Sequence, residues 1–232
     1  MKTSRIGRRE AMAAIGAAGA AAALGCGDSP ASPSSTTSTT TPTTSTNTAC
    51  AVTPTETIGP YPSLTDLFRS DVREGKQGAQ LNLTIKVVNV AGGCSPVAGA
   101  NVEIWHVDAA GNYSQYGTQT AQTYLRGIQT TNASGEVNFV TIYPGWYQGR
   151  ATHIHVEVTI NGRSAKVTQI AFPEEVTAAV YRTGIYASSG QNPTTNSRDG
   201  VFSDGVANEL ITITGGDTTS GYTGTFQVGV SL

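Results

Sequence analysis

Two histidines stand one residue apart, at positions 153 and 155, and they are two of the chain's three histidines. The segment that contains them, His-Ile-His-Val-Glu-Val-Thr-Ile, alternates with a period of two, which predicts a β-strand. Side chains two residues apart on a strand point to the same face, about 7 Å apart along the strand. Two imidazoles held side by side in this way could bind a metal ion.

Tyr147 and Arg150 come just before the histidine pair and extend the possible chemistry. A phenol ordinarily ionises near pH 10, so a hard, highly charged cation such as Fe(III) is needed to hold it as a phenolate. Tyrosine is also an iron ligand in haem proteins. Imidazole and phenolate together therefore favour iron over zinc. A chance histidine pair that binds no metal, and a zinc or copper hydrolase that uses the pair, are the alternatives.

Further motifs give this segment a wider context. They are Glu56–Tyr61, Val102–Asp108, Gly111–Ser114, Tyr124–Gly127, Thr141–Tyr147, Arg150–His155 and Thr168–Phe172. In this combination the chain resembles the intradiol ring-cleavage dioxygenases, a non-haem Fe(III) family that includes protocatechuate 3,4-dioxygenase and catechol 1,2-dioxygenase. The resemblance covers roughly residues 50–230 and is closer to the protocatechuate type.

The resemblance implies a role for each matching residue. The four metal ligands would be Tyr113, Tyr147, His153 and His155. Tyr147 would also take part in catalysis by leaving the metal and accepting a substrate proton. Arg150 would stabilise negative charge on the substrate, and Gln169 would support the ligands from the next strand. His106 matches no ligand and is expected to be a packed, hydrogen-bonded residue.

The implied reaction uses one Fe(III) per chain, a small catecholic aromatic and O2, and it gives a cis,cis-muconate-type diacid. Substrate selectivity is expected from the loops around positions 61–65 and 113–116. An exported β-sandwich module that binds a polysaccharide or a phenolic compound without activity is the alternative function. The protein is expected to act as a monomer or a homodimer.

The fold class is predicted to be all-β, a sandwich of mixed or antiparallel strands with long loops and one short helix. The chain has 27 glycines and only 13% charged residues, which suits short strands joined by many turns. Apolar residues alternate over 81–87 and recur at 102–104. Hairpins are predicted at 132–135 and at Asn161-Gly162, and a helix over 173–184.

The N-terminal quarter predicts targeting rather than a folded domain. Residues 1–25 resemble a twin-arginine signal peptide, and Cys26 stands at an imperfect lipoprotein cleavage site. Residues 26–49 are rich in Ser, Thr and Pro and predict a disordered linker, followed by the dioxygenase domain at 50–232. Export, with a location at the cell surface through a lipid on Cys26 or outside the cell, is the expectation.

Net charge indicates which macromolecules the protein is expected to bind, and cysteine content indicates whether it is expected to form a disulfide. The net charge is −2 with no basic stripe, so nucleic acid is not expected as a partner. If Cys26 is lipidated or removed, Cys50 and Cys94 remain as an even pair in an exported domain. Such a pair predicts a disulfide between the N-terminal arm and the loop at 91–96.

Overall fold

The computed structural model of the chain describes residues 50–232. The predicted signal peptide, the linker and Cys26 lie outside the described residues, so they stay predictions. Within residues 50–232, no helix is both long and apolar enough to cross a membrane.

Two β-sheets make up the domain. One contains β1 (Gln80–Asn89), β2 (Ser95–Pro96), β5 (Glu136–Ile142), β8 (Thr212–Asp217) and β9 (Gly221–Val230). The other has the order β4 (Arg126–Thr130), β3 (Asn101–Trp105), β6 (His153–Ile160), β7 (Arg163–Ala171). Strand β1 pairs parallel with β9, and the other pairs of named strands are antiparallel. The mixed β-sandwich predicted from the sequence is thus confirmed.

Helical structure is sparse and follows the last strand of the second sheet. The single α-helix within residues 50–232, α1 (Glu174–Val180), begins after Pro173, and two 3₁₀ turns follow at Gly184–Ser189 and Asn196–Arg198. Proline is tolerated at a helix start because its missing N–H would have no partner there. The prediction of one short helix is confirmed, although the helix ends earlier than expected.

The core lies between the two sheets and fixes the direction of the histidine side chains. Leu83 of β1 packs in the same buried cluster as Ile154 and Val156 of β6. Because side chains on a strand alternate between faces, His153 and His155 point away from that core, to the outer face of the second sheet. Loops cover this face and bury both histidines.

The two hairpin predictions had different outcomes. Asn161 and Gly162 join β6 to β7 with φ angles of 51° and 73°, as a two-residue hairpin of the I′ type requires. The predicted hairpin at 132–135 is wrong. Strand β4 pairs with β3 and β5 pairs with β1, so the turn at 132–135 carries the chain from one sheet to the other.

The N-terminal arm is tied to the body of the domain at several points. The predicted disulfide is present between Cys50 and Cys94, whose Cα atoms are 5.6 Å apart. Further along, Thr53 donates its N–H to Gly229 O, and Lys166 Nζ donates to Thr53 O (2.7 Å). These links direct the following residues of the arm across the outer face of the second sheet.

Candidate metal centre

Three side-chain atoms from two segments converge on the outer face of the second sheet. The Nε2 atoms of His153 and His155 are 3.2 Å apart, and Tyr113 Oη lies 3.3 Å from the first and 3.1 Å from the second. Both histidines come from β6, whereas Tyr113 comes from the long loop between β3 and β4. Three of the four predicted ligands are therefore brought together by the fold.

The protonation of His153 follows from its neighbours. Its Nδ1 lies 2.7 Å from the carbonyl oxygen of Ala151, so Nδ1 carries the proton and donates it. Burial, and then the positive charge of Arg150, lower the pKa of His153 to about 3. Its Nε2 therefore presents a lone pair to the cluster, which is the form in which histidine binds a metal ion.

His155 is equally prepared to act as a ligand. Burial, and then the neighbouring His153, hold the pKa of His155 well below its ordinary value. Its Nδ1 is buried and has no hydrogen-bond partner within the described part of the chain. Separations near 3 Å suit neighbouring ligand atoms on one ion, since bonds of about 2.1 Å at angles between about 90° and 110° give about 3.0 to 3.4 Å. The donor set of two imidazoles and a phenol thus fits a ferric ion.

The two predicted tyrosine ligands differ in their surroundings. Tyr113 is 6% exposed, and burial followed by the nearby phenol of Tyr147 keeps its pKa well above the ordinary value. The Tyr147 ring is half-buried and lies 5.8 Å from the rings of both Tyr113 and His153. Burial raises the pKa of Tyr147, while the guanidinium of Arg150 opposes that rise. Tyr147 is therefore the more accessible and more easily ionised phenol.

Packing rather than hydrogen bonding holds the ring of His155. The indole of Trp105, its cross-strand neighbour on β3, stacks parallel to the imidazole at 4.9 Å. Gly59 of the N-terminal arm has a φ of +75°, and a Cβ at this position would lie 3.0 Å from His155 Cε1. Glycine is required here for both its backbone angle and its small size.

Arg150 is anchored by a residue that the sequence did not reveal. Its Nε donates to both carboxylate oxygens of Asp199 (2.9 and 3.1 Å), and its Nη2 donates to Gln169 Oε1 (2.6 Å). Asp199 also accepts the N–H of Ala151 (2.6 Å), the residue whose carbonyl orients His153. The structure therefore places Gln169 against Arg150, where it fixes the guanidinium, and the buried carboxylate of Asp199 links Arg150 to the segment just before β6.

An aromatic cavity of about 190 Å³ opens beside the two tyrosines. Its walls include Tyr61, Tyr113, Tyr116, Tyr147 and the loop at 117–119. The Tyr61 ring lies 4.7 Å from that of Tyr113 and 5.2 Å from that of Tyr116, so a flat ring would meet π-faces on entering. A larger groove of about 660 Å³ at 71–80 and 218–219 contains none of the predicted site residues.

Two further buried residues, His106 and Arg126, lie near His153 and Tyr113. His106 has both ring nitrogens bonded, to Val107 O (2.8 Å) and Thr141 Oγ1 (2.7 Å), so it is the packed residue predicted from the sequence. Arg126 is fully buried and lies 5.8 Å from the Tyr113 ring centroid. Its Nε and Nη2 donate to Ser114 Oγ and Ser114 O, which fixes the backbone next to Tyr113.

Comparison with known proteins assigns the chain to a family. A sequence model described as Dioxygenase matches residues 59–192, more than half of the chain. The chain belongs to the intradiol ring-cleavage dioxygenase family. Enzymes of this family depend on non-haem Fe(III), act on catechols with O2 and commonly form oligomers.

The curated relatives of this intradiol dioxygenase family member match only part of the chain. The protocatechuate 3,4-dioxygenase beta chain of Burkholderia cepacia is 31% identical over 132 residues, which cover 51% of this chain and 54% of the relative. The chain spans about half the length of the curated relatives it matches.

Solved structures of family members match more of the fold. An intradiol ring-cleavage dioxygenase from Tetranychus urticae is 30% identical, with a TM-score of 0.71, and the match covers 78% of this chain and 95% of the other. The dioxygenase domain of a dioxygenase carbohydrate-binding protein fusion from Streptomyces sp. SirexAA-E is 27% identical, with a TM-score of 0.61. That match covers 78% of this chain and 99% of the other.

Proposed function

We propose that this chain is an Fe(III)-dependent intradiol dioxygenase that cleaves the ring of a small catechol with O2 to a cis,cis-muconate-type diacid. The observation that carries the proposal is the convergence of Tyr113 Oη, His153 Nε2 and His155 Nε2 within 3.1–3.3 Å of one another, beside Tyr147. These four side chains would hold the iron. When bound, Fe(III) supplies Lewis acidity that lowers the pKa of substrate hydroxyls.

The substrate would be held by the aromatic cavity. Tyr61 and Tyr116 form walls against which a flat ring can stack, and Tyr116 is itself fixed by donating its hydroxyl to Pro62 O (2.7 Å). A cavity of about 190 Å³ favours a single aromatic ring over a polymer. This supports a small catechol as the substrate class and weighs against the binding of a polysaccharide.

Proton transfer is assigned to Tyr147. A catechol must lose protons to bind as a dianion, and the acceptor must be both near the substrate and able to ionise. Tyr147 lines the cavity, and the nearby Arg150 favours its phenolate form. Tyr113 is almost fully buried, which suits a permanent ligand rather than a proton carrier.

Arg150 is assigned to charge stabilisation. Its guanidinium is a planar cation, and Asp199 with Gln169 fixes its orientation. A cation held in place before the reaction stabilises negative charge that develops on the substrate without reorganisation.

Location outside the cytoplasm forms part of the proposal. The Cys50–Cys94 disulfide supports an oxidising compartment, in line with the twin-arginine leader and the lipid expected on Cys26. Lipidation would tether the domain to a membrane through the linker.

A substrate panel tests the function. The purified protein is mixed with catechol, protocatechuate and hydroxyquinol in air, and O2 uptake is recorded together with the mass of the product. Uptake of one O2 per ring opened, with both oxygen atoms in a muconate-type diacid, is expected. Binding of the compounds without O2 uptake by iron-loaded protein would favour the inactive binding module.

A further inference from the structure

A second group of oxygen donors shares no residue with the histidine–tyrosine cluster. Glu56 of the N-terminal arm, Asp204 of the loop after the second 3₁₀ turn and Glu209 just before β8 each place a carboxylate oxygen within 4.8 Å of the other two. The three residues come from separate parts of the described chain. Folding therefore brings three carboxyl groups together, and either a proton or a bound cation must offset their mutual repulsion.

Glu209 has one carboxyl oxygen that no other side chain or backbone group of residues 50–232 satisfies. The residue is fully buried. Its Oε1 accepts a hydrogen bond from Thr168 Oγ1 (3.2 Å), but its Oε2 is buried and has no hydrogen-bond partner among the described residues. Buried polar atoms in folded proteins nearly always have a partner. An orphaned carboxylate oxygen in a cluster of three acids points to a bound positive charge.

The protein's own cations do not meet this need. None of the three carboxylates forms a salt bridge among residues 50–232. The nearby Lys166 donates instead to Thr53 O and Thr55 Oγ1. Burial, and then the charge of Glu56, raise the pKa of Glu209 to about 8, as expected for acids that repel each other without a counter-ion.

We propose that Glu56, Asp204 and Glu209 bind a calcium ion that ties the N-terminal arm to the loop before β8. An all-oxygen donor set suits a hard divalent cation. Calcium accepts six to eight oxygen ligands at about 2.3–2.6 Å in a flexible arrangement, whereas magnesium needs a stricter octahedral geometry that three side chains from separate segments are less suited to supply. Asp204 is exposed, so water can reach the ion and complete its coordination.

Calorimetric titration and thermal unfolding of the purified full chain test this site. The protein is placed in calcium-free buffer with its iron content unchanged, and CaCl2 or MgCl2 is added. We expect one calcium per chain and a Tm higher by about 5 to 10 °C when calcium is at 100 times its Kd. Magnesium should give a smaller rise.

Three variants locate the ion. Glu209→Gln keeps the shape of a protonated glutamate and should fold, and Asp204→Asn changes an exposed residue. Both should lose the calcium-dependent rise in Tm. Glu175→Gln removes one negative charge from the exposed surface of α1 and should keep the full response.

Several results would overturn the proposal. If the titration shows no heat of calcium binding and the Tm of the wild type does not change, a proton rather than a bound cation neutralises Glu209. An undiminished response in both Glu209→Gln and Asp204→Asn would place the ion elsewhere. A larger effect of magnesium than of calcium would refute the choice of ion.

Discussion

Replacing Asp199 with Asn should weaken both the fold and the metal centre. The Asp199 side chain is fully buried and that of Arg150 is only 15% exposed, so solvent screens their interaction little. Removing one partner of a buried ion pair leaves an uncompensated charge, which costs about 3 to 5 kcal/mol. In a domain of this size, that loss corresponds to a fall in Tm of about 6 to 20 °C.

The same change should also weaken metal binding, because Asp199 is connected to His153 through the backbone of Ala151. Asp199 accepts the N–H of Ala151, and Ala151 O accepts the Nδ1 proton of His153. Weaker orientation of a ligating histidine typically lowers metal affinity about 10- to 100-fold. Iron content after dialysis against a competing chelator, measured in Asp199→Asn and in the wild type, gives this second effect.

Urea unfolding of iron-free protein supplies the stability value. Asp199→Asn, Arg150→Met and the double variant form a cycle, and the double variant should lose less than the sum of the single variants. Asp71→Asn is the control, because Asp71 pairs with Arg73 on the surface and should cost at most about 1 kcal/mol. A loss in Asp199→Asn no larger than in the control would refute the reasoning.

Three further predictions follow from the site. Gly59→Ala should lower iron affinity, because the added Cβ would lie 3.0 Å from His155 Cε1. Gly75→Ala is the control for backbone strain, because Gly75 has the same φ of +75° but open space around it. Arg150→Lys keeps the positive charge but loses the planar guanidinium, so bound iron and its visible absorption should remain while kcat falls about 100-fold or more. A near-normal kcat would contradict the role assigned to Arg150. Burial lowers the pKa of His106 to about 4 in the folded protein, below its ordinary value of about 6.5 in the unfolded chain. The free energy of unfolding is therefore highest above about pH 6.5 and falls by about 3 kcal/mol as the pH drops from about 6.5 to about 4. His106→Asn should flatten this part of the stability profile of iron-free protein, and an unchanged slope would disprove the link.

Local sequence patterns predicted the features that depend on neighbouring residues. The period-two alternation at 153–160 placed both histidines on one face, and the Asn161-Gly162 turn set the pairing of β6 with β7. The cysteine pair was likewise identified because only two cysteines remain after the leader. In each case, the structural outcome depends on residue spacing or number.

Features that depend on distant contacts were not visible. Asp199 is 49 residues from its partner Arg150, and no motif marks it as a buried anchor. Gly59 lies within the Glu56–Tyr61 motif, but the motif gave it no role, and its role arises only because the arm passes over His155. The turn at 132–135 looked like a hairpin because a local pattern does not say which sheet a strand joins.

The resting iron content and visible absorption of the purified protein show whether the histidines and tyrosines hold Fe(III). We expect about one ferric ion per chain and a red-brown colour from tyrosinate bound to Fe(III). Both should be lost in His153→Ala and His155→Ala and kept in His106→Asn, because His106 has both ring nitrogens bonded elsewhere. A colourless protein fully occupied by another metal, or stoichiometric iron retained in both alanine variants, would contradict the assignment of the metal centre.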